Sequence, residues 1–152
     1  MADTIPTAIT TMGVFLMKKG ASESSYSKLI DINSFGDLGG TPELLDATTL
    51  SHYASVGVLG IQQQDTIEFE ANYTKTEYSG LVAGQNTATD LSVWFGGTNS
   101  TDGTITPTGA NGKFNFKGMY SLRVNGGGVN EIVHCTLTVT ALTAPALDTT
   151  GD

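Results

Sequence analysis

The run KFNFKGMYSLRVNGGGVNEIVHCTLTVTAL (113–142) decides the fold class. In its first half Phe114, Phe116, Tyr120, Leu122 and Val124 share one parity. In its second half Val133, Cys135, Leu137 and Val139 share one, with Thr136, Thr138 and Thr140 opposite. Successive side chains of an extended chain point to opposite faces of a sheet, so a period of two marks strands with one buried and one wet face. Asn125-Gly126-Gly127-Gly128 between the two runs is a hairpin turn signal, which predicts paired strands over 113–126 and 131–142.

Moving toward the N-terminus, TIEFEANY (66–73) alternates in the same way. Ile67, Phe69, Ala71 and Tyr73 fall on a core face, and Thr66, Glu68, Glu70 and Asn72 on an acidic, wet one. A helix follows, because Thr74 and Glu77 have the spacing of a capping box and Tyr78, Leu81 and Val82 share one helical face, with Gly84 as the stop. LSVWFGG (91–97) and GVFLMKK (13–19) are short apolar runs that read as strands. YSKLIDINSF (26–35) alternates Tyr26, Ile30 and Ile32 with Ser27, Asp31 and Asn33 and reads as another. STDGTITPTGANG (100–112) reads as a polar surface loop. The prediction is a mainly β single domain over 1–152, a β-sandwich or barrel of six to seven main strands with one flanking α-helix. Residues 1–12 form an N-terminal arm and 143–152 a flexible C-terminal tail.

Residues 36–65 obey neither period. Thr41 and Pro42 carry the signals of one helical turn over 42–45, and the rest reads as an inter-strand loop. Structureless loops beyond about 12–15 residues are uncommon in compact domains. This one also holds Leu38, Leu44, Leu45, Leu50, Tyr53, Val56, Val58, Leu59 and Ile61, too many apolar groups to leave in water. They require a surface to cover, their own domain's or a neighbour's.

The composition excludes much. Of 152 residues only 14% are charged, against the usual quarter or so, with 7 Lys+Arg, 15 Asp+Glu and a formal charge of -8. Arg123 is the only arginine. Tight nucleic-acid binding needs clustered cations and is not expected. The single cysteine, Cys135, forbids an intrachain disulfide and a Cys-rich zinc site. No stretch approaches the roughly 20 apolar residues of a membrane span, and no basic and apolar leader is present, so neither membrane insertion nor cleaved secretion is expected.

Candidate chemistry is sparse. Glu68 and Glu70, about 7 Å apart along one strand face, approach the spacing of a glycosidase pair. Such pairs stand on different elements flanking a cleft, however, so these two read as a solvated face. His134 and Cys135 alternate to opposite faces and cannot form a nucleophilic pair, which leaves Cys135 as a small buried hydrophobe. His52 stands alone in the long loop. Asp37, Asp46 and Asp102 follow no calcium-loop spacing. The glycines at 36, 39, 40 and 126–128 lack the context of a phosphate loop. No catalytic residue, metal site or cofactor is expected. The Thr-rich faces and the 100–112 loop suit a carbohydrate-binding or adhesin-like β-sandwich module, a reading that leaves the apolar segment 36–65 without a role.

The order of features resembles the major tail tube proteins of long, flexible-tailed bacteriophages. The resemblance rests on Leu29 to Ile32, Asp37-Leu38-Gly39-Gly40, Pro42-Glu43, Asp46 and Thr48-Thr49-Leu50. Gly60-Ile61-Gln62, Glu68-Phe69, the tyrosine-bearing helix and Val93-Trp94-Phe95 continue it, so that it covers 13 to about 140. His52-Tyr53-Ala54-Ser55-Val56 departs from the family pattern, which often has charged residues there. The resemblance implies a tail tube fold similar to the type VI secretion tube protein, and stacking of hexameric rings into a hollow tube through which DNA passes without specific binding. It also implies tail tip or initiator, tape measure and terminator proteins as partners, and a place in the virion tail after synthesis in the host bacterial cytoplasm. In that frame 36–65 is an assembly loop whose subunit-interface residues are Leu38, Gly39, Gly40, Pro42, Leu44, Leu45, Thr48, Thr49, Leu50 and Tyr53. Glu68 and Glu70 would be acidic groups facing the lumen.

Overall fold

The computed structural model describes residues 11–19, 24–62 and 66–148. Most of the expected arm at 1–12 and the last residues of the tail lie outside that range. The elements in chain order are β1 (Val14–Lys19), β2 (Ser27–Ile30), β3 (Ile32–Phe35), β4 (Pro42–Asp46), β5 (Gly57–Gln62), β6 (Thr66–Asn72), α1 (Lys75–Val82), β7 (Thr89–Asn99), β8 (Ile105–Val124), β9 (His134–Ala141) and β10 (Ala146–Asp148). Among the described residues the protein is mainly β with one flanking helix, as its alternation predicts.

An antiparallel sheet of eight strands runs in the order β2-β1-β7-β8-β9-β6-β3, with β10 also on β8. Its two outer strands, β2 and β3, are separated in sequence by Asp31 alone. The sheet therefore has to roll until its margins meet at that residue, where Lys28 and Asp31 form an ion pair of 2.6 Å. The strand expected over 26–35 is thus one strand folded at a corner, and each half pairs with a different neighbour, β1 or β6.

Inside the roll lie Leu16, Ile67, Phe69, Leu91, Val93, Tyr120, Leu137 and Val139, all essentially inaccessible to solvent. The expected parities of β6 and β9 hold: Ile67, Phe69 and Ala71 are buried while Thr66 and Glu68 are exposed, and Cys135, Leu137 and Val139 are buried. Thr136 departs from its expected wet face. It is buried, and its hydroxyl donates to Asn125 Oδ1 at 2.9 Å. The long β8 pairs with β7 along its first part and with β9 along its last, and the changeover is Gly118, which pairs with both Thr89 and Ala141. A Cβ there would stand 2.9 Å from the Thr140 carbonyl, so the position has room for glycine only.

Several expectations about the connections are corrected. The 100–112 loop is largely strand: β7 continues to Asn99 and β8 begins at Ile105, with Pro107 opposite Gly97. The tail is not free over 146–148, because β10 pairs with Lys113–Asn115. The turn after β8 is longer than its glycines suggest, since β9 starts at His134 and Val133 is left half-exposed. The segment 36–65 contains a second, two-stranded sheet of β4 and β5, and 42–45 is strand rather than a helical turn. In α1, Thr74 is the N-cap in extended conformation, but its hydroxyl donates to Glu77 Oε2 at 2.9 Å and caps no backbone N–H.

Candidate assembly surfaces

The β4–β5 hairpin has exposed apolar side chains on both faces. Leu44 stands opposite Leu59 and Leu45 opposite Val58, so consecutive pairs point to opposite sides. On one side Leu44 and Leu59 are 71% and 68% exposed, on the other Leu45 and Val58 are 48% and 51% exposed, and Ile61, past a register shift, is 88% exposed. Burying a large apolar side chain gains about 1.5–3 kcal/mol, so the hairpin gains from any surface that covers it.

Its base is fixed to the domain. Leu38 packs against the core, Gly36 N donates to the Glu68 carbonyl at 2.8 Å, and Gln62 Nε2 donates to the Gly40 carbonyl at 2.7 Å. Gly39 turns the chain with φ of 92°, a left-handed conformation that favours glycine. The tip is also built. Ala47 N donates to the Val56 carbonyl at 2.8 Å, Val56 N to Thr48 Oγ1 at 2.8 Å and Thr48 N to Asp46 Oδ1 at 2.9 Å. The Thr48 hydroxyl and backbone N–H beside it hold the Asp46 carboxyl below its ordinary range. Thr49 N donates to His52 Nδ1 at 3.0 Å. This polar frame holds Leu50 and Tyr53 fully in solvent.

The structure thus sorts the expected interface residues. Pro42, Leu44 and Leu45 lie on β4, and Leu50 and Tyr53 crown the tip. Thr48 and Thr49 spend their polar atoms within the tip. Gly39 and Gly40 form the base, and Leu38 points inward.

Glu68 and Glu70 lie on the outer face of β6. Glu68 is level with Thr138 and Ser121, and Glu70 with Thr136 and Arg123. Arg123 Nη2 approaches Glu68 Oε1 at 3.9 Å, and His134 Nδ1 approaches Glu70 Oε1 at 3.7 Å. Glu68, Glu70 and Arg123, together with Ser34, Gly36 and Asn125, line an open depression of about 330 Å³. Both carboxylates come from one strand, whereas a glycosidase pair stands on different elements flanking a cleft. Cys135 is buried on the other side of the sheet, and burial, with the nearby Glu77 charge, pushes its thiol up.

Sequence reasoning missed a second apolar surface. The connection 125–133 is closed by Asn125 N to the His134 carbonyl at 2.9 Å and braced by Gly128 N to Glu131 Oε2 at 2.7 Å. Asn130 adopts a left-handed φ of 60°. The loop holds Val129 at 91% and Ile132 at 67% exposure. The available signal was the run Val129, Ile132 and Val133, too many apolar residues for a simple turn.

No protein-family profile matches the chain, and no curated protein matches it by sequence. Solved structures do. A chain of the PVC sheath/tube terminator of an extracellular contractile injection system in the extended state matches with a TM-score of 0.68 at 13% identity, over 95% of this chain and 99% of that one. The tube terminating cap of the anti-feeding prophage matches with a TM-score of 0.68 at 14% identity, over 97% and 95%. The SPP1 tail tube, solved by solid-state NMR and cryo-EM, matches with a TM-score of 0.61 at 14% identity, over 93% and 82%.

The chain has the tail tube fold. No helix among its described residues is long and apolar enough to cross a membrane.

Proposed function

We propose that the chain is a structural subunit that polymerises as stacked hexameric rings into the hollow tube of a phage tail, through which DNA passes into the host. The observation that carries the reading is the β4–β5 hairpin, anchored at its base, framed at its tip and apolar on both faces. A monomer gains nothing from that construction. A polymer gains a heterologous contact, in which one part of a subunit docks on a different part of the next and so generates rings and filaments. Structures with the same fold are those of a tail tube and of tube terminators, which supports the reading. Tip, tape measure and terminator proteins would start, measure and close the tube.

In the assembled tube Glu68 and Glu70 line the lumen. An acidic wall repels phosphates, so a duplex slides without sticking, and a chain of net charge -8 with one arginine suits that task. Negative-stain microscopy and sedimentation of the concentrated protein test the proposal. Rings or tubes are expected, and a monodisperse monomer at high concentration overturns it.

A further inference from the structure

The chain contains two Asn-Gly bonds, Asn111-Gly112 and Asn125-Gly126. A glycine after asparagine leaves the following backbone nitrogen unhindered, so that it can reach the side-chain amide. We propose that Asn125 is a site of covalent modification, where the side-chain amide is converted to a carboxylate with water as the only co-reactant, while Asn111 is protected by the fold.

The reaction balances without an oxidant or reductant. Gly126 N bonds to Asn125 Cγ and gives its proton to solvent. The Cγ–Nδ2 bond breaks, and Nδ2 leaves as ammonia with a proton taken from water. Water then opens the resulting five-membered imide. Cleavage of the new bond at Cγ gives aspartate, and cleavage at the main-chain carbonyl gives isoaspartate.

The structure separates the two bonds. Closing the imide requires the backbone between the asparagine Cα and the glycine nitrogen to rotate out of the extended conformation, which a paired strand resists. Asn111 and Gly112 lie within β8, where Gly112 is paired with Phe95 of β7. Asn125 is the first residue beyond β8. Its N donates to the His134 carbonyl at 2.9 Å, and its Oδ1 accepts from the Thr136 hydroxyl at 2.9 Å, so the electrophilic carbon is held in place. That hydroxyl also faces the oxygen on which negative charge develops when the nitrogen adds. Gly126 N has no acceptor among the described residues, and a Cβ on Gly126 would meet nothing within 4 Å. The electrophile is fixed and the nucleophile is free to turn. Asn125 lines the same depression as Glu68 and Glu70, so the product places a third carboxylate there and makes this face more acidic with age.

The test is peptide mapping by mass spectrometry after the folded, unaltered protein has stood in mildly alkaline buffer. Conversion at Asn125 is expected while Asn111 stays an amide, and in concentrated urea both are expected to convert at comparable rates. Gly126→Ala fits the open position without strain and is expected to slow conversion at Asn125 many-fold. Equal conversion of the two asparagines in the folded protein, or an Asn125 that reacts only in urea, overturns the inference. A Gly126→Ala variant that converts as fast as the parent overturns attack by the Gly126 nitrogen. A monomer suffices for every measurement, so these outcomes are independent of whether the chain forms tubes.

Discussion

The Tyr120 hydroxyl donates 2.8 Å to the carbonyl of Leu81, in the last turn of α1. Tyr120 is buried at the centre of the sheet, and Leu81 is the one buried residue of the helix. That hydrogen bond bolts the helix to the sheet at a carbonyl that also accepts from Gly84 N at 3.1 Å. Tyr120→Phe keeps the ring and removes the bolt, and is expected to cost about 1–2 kcal/mol, read as a lowered thermal midpoint of the monomer. Gly84→Ala should cost more, because the added methyl meets the Tyr120 hydroxyl.

The same phenol gives the fold an alkaline limit. Burial pushes Tyr120 above the ordinary tyrosine value of 10.0, and burial with the Asp90 and Asp148 charges does the same to Tyr26. Both are neutral when folded, whereas the unfolded chain ionises near pH 10. Their contribution is complete below that pH and is lost as pH rises through the raised values. Urea midpoints are expected to fall above pH 10, and less steeply in Tyr120→Phe. Parallel profiles for the two proteins would contradict this.

At the hairpin tip a backbone N–H donates to His52 Nδ1, so that nitrogen is an acceptor and the ring proton sits on Nε2. His52→Ala leaves the Thr49 amide without its acceptor. Thermal stability of the monomer should not change, since the tip makes no core contact. Amide exchange at Thr49 should rise and the critical concentration for assembly should increase.

The lumen assignment is tested by charge. Glu68→Lys with Glu70→Lys moves the net charge from -8 to -4, each exchange adding two. Both positions are solvent-exposed, so folding is expected to be unaffected. Tubes of the double variant are expected to retain DNA at low salt and release it as salt rises. Indifference to DNA would place these residues elsewhere.

Cys135 should resist thiol reagents in the native protein at pH 8 and react fully in denaturant, because burial hinders both ionisation and access. Native-state labelling would show that β9 opens locally.

The sequence made the body of the fold legible where burial is one-sided. In β6 and β9 every second side chain enters the core, so Phe69, Leu137 and Val139 announce themselves by parity. The same test fails for β4 and β5, because Leu44-Leu45 and Val58-Leu59 place apolar groups on both faces and leave no alternation to detect. The period of two reports an asymmetry, and the hairpin has none within a monomer. The early part of β8 was hidden by Gly, Thr and Pro, whose strand conformation is imposed by pairing with β7 rather than by their own preference. Most of the apolar residues of 36–65 are exposed, Leu44, Leu50, Tyr53, Leu59 and Ile61 most of all. The equivalent content of 125–133 was masked by its glycines, which read as a turn of ordinary length.

The corner at Asp31 also governs how the subunit comes apart. Because β2 and β3 are joined through one residue, neither margin of the sheet can peel away without pulling on the other. Partial unfolding from an edge is blocked, and the body should open as one cooperative unit. A wall made of such units would fail at its joints, between subunits, before any single brick deforms.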